Sequence, residues 1–226
     1  MRTGVTARRG PQVGGASRSM RIAFALAAAG LLPLGHAAYL HAKAGLAQAL
    51  LECAWRQARS EGGNPRPWPW ADTTPVARIG VARLGVEQIV LSGDSGRTLA
   101  FGPGWAPSSA RPGTHGLVVI SAHRDTHFAF LRELAEGDRV TLEARHGERH
   151  YRVVAAQVVD IRRDALPASD AVDGLLLVTC YPFDALVPGG PLRYAVSAVA
   201  DDIARDSPPA IAGSPRGMRD AALASR

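Results

Sequence analysis

The chain has 226 residues, a formal net charge of +6, 46% hydrophobic residues and two cysteines. This length suits one domain of about 150 residues with additional segments. Five of the positive charges fall within residues 1–21, which contain no acidic residue, so the rest of the chain carries only +1. Because no interleaved basic and aromatic pattern accompanies the charge, nucleic acid is excluded as the expected partner.

Residues 22–42 contain no charged side chain and follow this basic N-terminal segment. At helical rise they span roughly 30 Å, the thickness of the bilayer core. Arginines before the span predict that residues 1–21 stay in the cytoplasm and that 22–42 form a single-pass anchor in the cytoplasmic membrane. A cleaved secretory signal is the alternative, since small residues end the apolar run. Both interpretations export the remainder of the chain.

The residues after the anchor are predicted to continue as a helix, because Leu46, Leu50 and Ala54 recur at helical spacing. A stretch rich in Gly and Pro from residue 60 ends that helix. We therefore assign 43–65 to a helical stalk and linker and 66–200 to a folded domain. Residues 201–226 are rich in Pro, Ala and Arg without periodicity, which predicts a disordered tail.

The predicted domain consists of short strands. Its β-branched runs are 7–11 residues long and are separated by turn-type clusters, which indicates an all-β barrel or sandwich. Short helices are expected over 98–105 and 127–134. The seven predicted strands are 76–85, 86–93, 116–123, 138–145, 150–160, 174–180 and 192–200.

Cys180 lies in "GLLLVTCYPF", residues 174–183, at the end of a predicted buried strand. A small buried hydrophobe is the commonest role of a free cysteine, but a strand end predicts a thiol at the rim. An ordinary thiol, with a pKa of about 8.5, is only slightly ionised at neutral pH, so a nucleophilic cysteine needs positive charge nearby. A disulfide to Cys53 is the alternative in an exported domain.

Two residues are predicted to supply that charge. Arg193 begins the next strand, and antiparallel pairing of 174–180 with 192–200 would bring it beside Cys180. His123 ends "GLVVISAH" in the same way, and an imidazolium beside a thiolate can protonate a leaving amine. We therefore predict a catalytic set of Cys180, His123 and Arg193.

Supporting roles are predicted for two further residues. Thr179 is expected to form a hydrogen bond near the site, and Asp125 either to orient His123 or His127 or to cap a helix beginning at residue 126. A metal site built on His115, His123 and His127 is not favoured, because His123 closes a strand and the helical His-x3-His spacing does not apply. No metal and no cofactor are expected.

Three segments carry a resemblance to a known family. "SAHRDTHF", "LLLVTCYPF" and "PLRYAV", in that order, resemble the His, Cys and Arg segments of sortases, the membrane-anchored cysteine transpeptidases; the resemblance covers about residues 65–200. The Cys segment of that family typically reads Thr-Leu-x-Thr-Cys, and Leu176 replaces its first threonine here. "WPWADT" at 68–73 is similar to a segment of the proteobacterial branch, and Trp68 and Trp70 in it are candidates to anchor the linker.

The resemblance implies a closed eight-stranded barrel that faces the periplasm of a Gram-negative cell. It implies that Cys180 forms a thioacyl enzyme with an exported protein bearing an LPXTG-like C-terminal signal, that His123 protonates the departing amine, and that Arg193 binds the substrate backbone or the oxyanion. An amine acceptor then resolves the thioester. A hydrolytic cysteine protease with the same residues and a non-catalytic membrane-tethered peptide-binding β-domain remain open as alternatives.

Overall fold

The computed structural model of the chain describes residues 16–145, 147–164, 166, 173–185 and 189–201. Among these, the residues up to Ala49 form one compact unit and those from Leu50 form a second. The basic segment 1–15 and residues 202–226 of the predicted tail lie outside the described residues.

The first element is a long helix, α1, over Ala16–Ser60. Large apolar side chains in its first half are exposed, among them Phe24 at 70% and Leu32 at 74%. Within the described part of the chain, it is the one helix long and apolar enough to cross a membrane, by length and composition. Two glycines with positive φ, Gly62 and Gly63, follow its end, in keeping with the breaking role expected of this stretch.

The buried face of the last turns of α1 shares only Ala54 with the predicted stripe. Leu46 is 61% exposed, whereas Leu51 and Trp55 are fully buried. These two side chains pack with Ile89 and Leu91 in one apolar cluster. The buried positions recur at i, i+3, i+4 and i+7, the spacing of one helix face: they are Leu51, Ala54, Trp55 and Ala58.

Eight strands follow α1 and close into a barrel, which confirms the predicted fold class. A four-residue helix, α2, covers Gly96–Leu99, and 3-10 turns cover Ala82–Leu84 and Ala129–Glu133. The strands are β1 Pro75–Val81, β2 Val86–Ser92, β3 Gly104–Trp105, β4 Leu117–Ser121, β5 Arg139–Ala144, β6 Gly147–Asp160, β7 Gly174–Cys180 and β8 Leu192–Ala200.

The strand order around the barrel is β1-β2-β3-β4-β7-β8-β6-β5. Two neighbouring pairs, β2–β3 and β4–β7, are parallel, and the others are antiparallel. The β4–β7 pair joins segments distant in sequence, with Leu117 beside Gly174 and Ser121 beside Val178. Parallel strands end at the same edge of a sheet, so the residues that follow β4 and β7 emerge together.

Strand β7 lies at the centre of this arrangement and is buried on both faces. Leu175 and Leu177 belong to the main core inside the barrel, and Leu176 and Val178 belong to a separate apolar cluster. Side chains alternate across a strand, so this second cluster lies on the outer face. Burial on both faces explains why the run is continuously apolar instead of alternating.

Strand β3 was not predicted from the sequence, since its two residues were expected to lie in a helix over 98–105. The helix ends at Leu99, and the two residues of β3 are defined by tertiary pairing with Leu91 on one side and Ser121 on the other. Gly104 fits there because a Cβ would overlap the carbonyl oxygen of Gly93. A two-residue strand is too short for any periodicity to reveal.

Candidate active site

Cys180 is the last residue of β7, and Arg193 is the second residue of β8. The two are direct partners in the antiparallel β7–β8 ladder, so the predicted pairing is confirmed. The ladder extends past them, since Tyr181 N donates to Leu192 O at 3.1 Å. Directly opposed residues point to the same face, with Cβ atoms about 4.5–5.5 Å apart. The thiol and the guanidinium therefore leave the sheet on one side, at the rim of the barrel.

His123 reaches the same level through β4. Beyond the last paired residues, Ser121 and Val178, the β4–β7 ladder continues with a hydrogen bond of 3.2 Å from Ala122 N to Val178 O. His123 follows directly, so it leaves β4 at the same edge of the barrel at which Cys180 ends β7. Ala122 is buried in the barrel interior and His123 is exposed, so alternation directs the imidazole to the outer face, where Cys180 also lies.

The outer face next to Cys180 is apolar. Val178, two residues before Cys180 on the same face, is only 6% exposed. It packs with Leu176 on its own strand and with Ala195 on β8, and Leu166, from the segment after β6, packs against the cluster. We call this set the outer-face cluster; it consists of Val159, Leu176, Val178 and Ala195, with Leu117, Val119 and Leu166 packed against them.

Thr179 faces the other way, into the barrel, and is 2% exposed. Its hydroxyl donates a hydrogen bond of 2.7 Å to the carbonyl oxygen of Ala122. This bond links the residue before Cys180 to the residue before His123. Thr179 therefore connects β7 to the residue after β4 on the inner face of the barrel, whereas Cys180 and His123 are on the outer face.

The two cysteines of the chain are both free, so the alternative of a Cys53–Cys180 disulfide is wrong. Cys180 is half-buried, whereas Cys53 is exposed on α1. The half-buried Arg193 donates from Nη1 to the carbonyl oxygens of Gly190 and Leu192, at 2.8 and 2.9 Å. These bonds hold its guanidinium against the backbone at the start of β8.

A second histidine lies close to His123. The pKa of His127 is lowered, first because the ring is partly buried and second because the charge of His123 repels a proton there. The segment between them is a tight turn, in which Phe128 N donates to His123 O at 2.9 Å, and Gln88 Nε2 fixes the carbonyl of His127 at 2.8 Å. Protonation of His127 is therefore disfavoured by its burial and by the nearby His123.

Among the described contacts, Asp125 forms neither a hydrogen bond to a histidine nor a helix cap. It is 68% exposed, and its described partner is the guanidinium of Arg124, whose Nε donates to Asp125 Oδ1 at 3.1 Å. The 3-10 turn that follows has Phe128 at its N-cap position without a side-chain cap. The capping prediction is thus wrong, and among the described contacts the carboxylate orients Arg124 instead of a histidine.

Arg124 and an aromatic group are features that sequence reasoning missed. Arg124 is only 4% exposed, although its neighbours His123 and Asp125 are exposed. Phe183 contacts Tyr181 and Tyr194, with ring centroids 6.2 and 5.2 Å away. In a sequence, an arginine between a histidine and an aspartate is typical of an exposed charge, so nothing local indicated that Arg124 is buried. For the aromatic contacts, the local signal was the "YPF" segment at 181–183.

The three histidines weighed as metal ligands do not gather at one place. His115 lies before β4, at the opposite end of that strand from His123, and its Nδ1 contacts Asp173 Oδ2 at 2.6 Å. Across the described residues, no group of three or more metal-ligating side chains of the His, Cys, Asp and Glu types occurs.

The two tryptophans of "WPWADT" have different environments. Trp68 packs against the cluster of Leu51, Trp55, Ile89 and Leu91, and its ring lies 5.0 Å from that of Phe101. Trp70 is 83% exposed. Trp68 thus anchors the linker to the barrel, whereas Trp70 does not.

The barrel and its rim together define a β-barrel protein of the sortase type, in which Cys180, a free cysteine, and Arg193 are direct partners at the end of the β7–β8 ladder. Residues 79–201 match the Sortase domain family, so the chain belongs to the sortase family. Members of this family are cysteine transpeptidases.

Individual relatives agree with this assignment. Sortase D of Bacillus subtilis (strain 168) is 32% identical over 117 residues, which cover 51% of this chain and 59% of that protein. The chain thus matches less than two thirds of the length of this relative. Two solved structures share the fold: Sortase D5 transpeptidase of Clostridium perfringens has a TM-score of 0.55 at 20% identity, covering 69% of this chain and 98% of that one. Sortase A from Corynebacterium diphtheriae has a TM-score of 0.51 at 23% identity, covering 68% and 83%.

Proposed function

We propose that this chain is a cysteine transpeptidase that cleaves an LPXTG-like C-terminal sorting signal and transfers the exported protein to an amine acceptor. The observation that carries the proposal is the pairing of Cys180 with Arg193 at the exposed end of the β7–β8 ladder. Family membership and the parallel β4–β7 pairing, which directs His123 to the same rim, support it.

The proposed reaction begins with attack of the Cys180 thiolate on the carbonyl carbon of the scissile Thr–Gly bond. Arg193 donates hydrogen bonds to the oxyanion or to the peptide backbone, where a guanidinium has several donors in one plane. His123, as imidazolium, protonates the amine as the C–N bond breaks, which leaves a thioester on Cys180. The acceptor amine then attacks the thioester, its proton passes to the neutral imidazole, and the thiolate is released.

The outer-face cluster supports an apolar peptide as substrate. It extends along β7 to Val178, which is on the same face as Cys180 and two residues before it. Its four central side chains are already buried, so the leucine and proline that begin an LPXTG-like signal would pack against the partly exposed Leu117, Val119 and Leu166 at its edge. An extended peptide that follows β7 would thus present its scissile bond to the thiol, and the basic tail of the signal would remain outside the cluster.

The cellular setting is also a proposal. The apolar part of α1, preceded by arginines, supports a single-pass anchor in the inner membrane, with residues 43–226 in the periplasm. Tethering enzyme and substrate in one membrane raises their effective concentration. The "WPWADT" segment supports the proteobacterial branch. Alkaline phosphatase fused after residue 200 should be active in a Gram-negative host, and an inactive fusion would refute this orientation.

The catalytic proposal is tested with the full-length protein in detergent micelles and a labelled LPXTG-like peptide. Wild-type protein should form an acyl adduct of the expected mass and transfer it to an added amine. Cys180→Ala should form none while remaining folded. Cys53→Ser is the matched control, because it removes the other free thiol and should leave the adduct unchanged.

Each other outcome has a distinct meaning. Cleavage by Cys180→Ala at the wild-type rate would refute a thiol mechanism. An adduct that resolves only to the free acid, even with excess amine, would identify a hydrolytic cysteine protease. Saturable peptide binding without any adduct would identify a peptide-binding domain.

A further inference from the structure

Arg124 lies between two segments that the proposed reaction must keep in register. It directly follows His123 in the chain, and its guanidinium reaches the segment that follows Cys180. Nη1 donates to Pro182 O at 2.7 Å and Nη2 donates to Ala185 O at 2.8 Å. One side chain therefore connects the backbone beyond β4 to the backbone beyond β7.

The side chain is 4% exposed, an unusual position for a guanidinium. Removing this charge from water is unfavourable unless hydrogen bonds and an opposite charge replace the lost solvation. Both are present: two backbone carbonyls accept from Nη1 and Nη2, and Asp125 Oδ1 accepts from Nε at 3.1 Å. The planar fork of donors meets three acceptors set in different directions, which a lysine ammonium does not reproduce.

The position of these bonds matters because they begin where the β4–β7 ladder stops. The last ties on the ladder are Ala122 N to Val178 O and Thr179 Oγ1 to Ala122 O. Past these ties, the Arg124 guanidinium supplies the next hydrogen bonds between the two segments. His123 and Cys180 thus lie between the end of the ladder on one side and the Arg124 bonds on the other.

We propose that Arg124 is a positioning residue, which fixes the segment 182–185 against the turn that carries His123 and thereby holds the imidazole level with the Cys180 thiol. This inference rests on the proposed roles of Cys180 and His123. Arg124 does not contact substrate in this proposal. It acts through the backbone on the two groups that do.

The test compares Arg124→Lys with Arg149→Lys. Arg149 is a matched control, because its guanidinium also donates to a backbone carbonyl, Thr114 O at 2.7 Å, and to a carboxylate, that of Asp173, near the start of β7. Both variants keep the positive charge and lose the planar set of donors that a guanidinium provides. We expect Arg124→Lys to lower kcat roughly 10- to 100-fold with KM changed less than about twofold, since small misplacements of reacting groups reduce rates on this scale.

A second measurement needs no substrate. In a Cys53→Ser background, the rate of Cys180 alkylation by iodoacetamide is followed against pH for each variant. Arg124→Lys should change the pH profile, because the imidazole no longer holds one position beside the thiol, and Arg149→Lys should not. If Arg124→Lys does not fold, Arg124→Ala is assayed with added N-methylguanidinium, which should restore the rate, whereas tetramethylammonium should not.

The outcomes separate this inference from the proposed function. Wild-type kcat and an unchanged alkylation profile in Arg124→Lys would overturn the positioning role while the thiol mechanism stands. Equal losses in Arg124→Lys and Arg149→Lys, in step with their melting temperatures, would show a structural role alone and also overturn it. Failure of the wild-type protein to form an acyl adduct would refute the proposed function, and the alkylation profiles would still decide whether Arg124 positions the thiol and imidazole.

Discussion

The hydroxyl of Thr179 donates a hydrogen bond of 2.7 Å to the carbonyl oxygen of Ala122, and both residues face the barrel interior. Each is the immediate neighbour of a group on the outer face, Cys180 in one strand and His123 in the other. This bond therefore connects the two strands on the inner face, directly behind Cys180 and His123, and neither of these groups takes part in it.

Replacing Thr179 with valine tests this tie. The change conserves shape but leaves the buried Ala122 carbonyl without its partner, which should cost about 1–3 kcal/mol of unfolding free energy. For a domain of this size, that corresponds to a fall in Tm of roughly 2–4 °C per kcal/mol. Turnover of the sorting peptide should fall roughly tenfold as well. Thr179→Ser keeps the hydroxyl and should retain most of the turnover; equal losses in both variants would argue against the bond.

Arg193→Ala should lower kcat/KM for the sorting peptide by roughly 100- to 1,000-fold, the effect of removing a donor to a developing oxyanion. Arg193→Lys keeps the charge without the planar fork and should recover only part of that loss. The control is Arg111→Ala, an exposed arginine before β4 with the same change in net charge. Peptide cleavage assays measure all three, and an Arg193→Ala enzyme within twofold of wild type would exclude Arg193 from the reaction.

The sequence predicted the strands and the Cys180–Arg193 pairing because these follow from local apolar patterns and strand ends. It did not reveal β3, whose two residues pair only through contacts with β2 and β4. It also did not reveal Arg124, because burial of a guanidinium depends on carbonyls 58 and 61 residues away. The described partner of Asp125 was not predicted for the same reason, since it is that buried arginine. Local patterns thus predict which residues reach the rim, and long-range polar contacts decide what holds them there.

Asp173 precedes β7 and joins it to two other parts of the barrel. Its carboxylate, 12% exposed, accepts bonds of 2.9 and 2.6 Å from Arg149 and contacts His115 Nδ1 at 2.6 Å. Burial alone would raise the pKa of Asp173, but the hydrogen bonds from Arg149 and His115 lower it overall. Asp173→Asn should therefore cost about 2–5 kcal/mol at neutral pH, because it leaves a partly buried guanidinium without its counter-ion.

The pH dependence of that cost gives an independent check. A carboxyl with a lowered pKa in the folded state stabilises the fold at pH values above its unfolded pKa, near 3.9. Below that value the wild-type protein should progressively lose its advantage over Asp173→Asn in urea unfolding. Asp184→Asn, at an aspartate 95% exposed, should differ from wild type by less than about 0.5 kcal/mol. A constant difference between wild type and Asp173→Asn down to pH 2 would contradict the ion pair.

His127 should also make the barrel less stable in acid, but at a higher pH than Asp173 does. Its pKa is lowered from 6.5 by partial burial and by the neighbouring charge of His123. The unfolded chain therefore binds a proton at this position more readily than the folded one, so stability rises with pH and falls as pH drops below about 6.5. A single proton contributes a slope of at most about 1.4 kcal/mol per pH unit.

His127→Gln removes that titration while the backbone carbonyl of residue 127 can still accept from Gln88. Urea unfolding between pH 5 and pH 7 should show a shallower loss of stability in the variant than in the wild type. His150→Gln is the control, since His150 is exposed and its ring contacts Glu148 at 3.3 Å, far along the chain from the rim. If wild type and His127→Gln lose stability in parallel on acidification, the pKa of His127 is not lowered in the folded state.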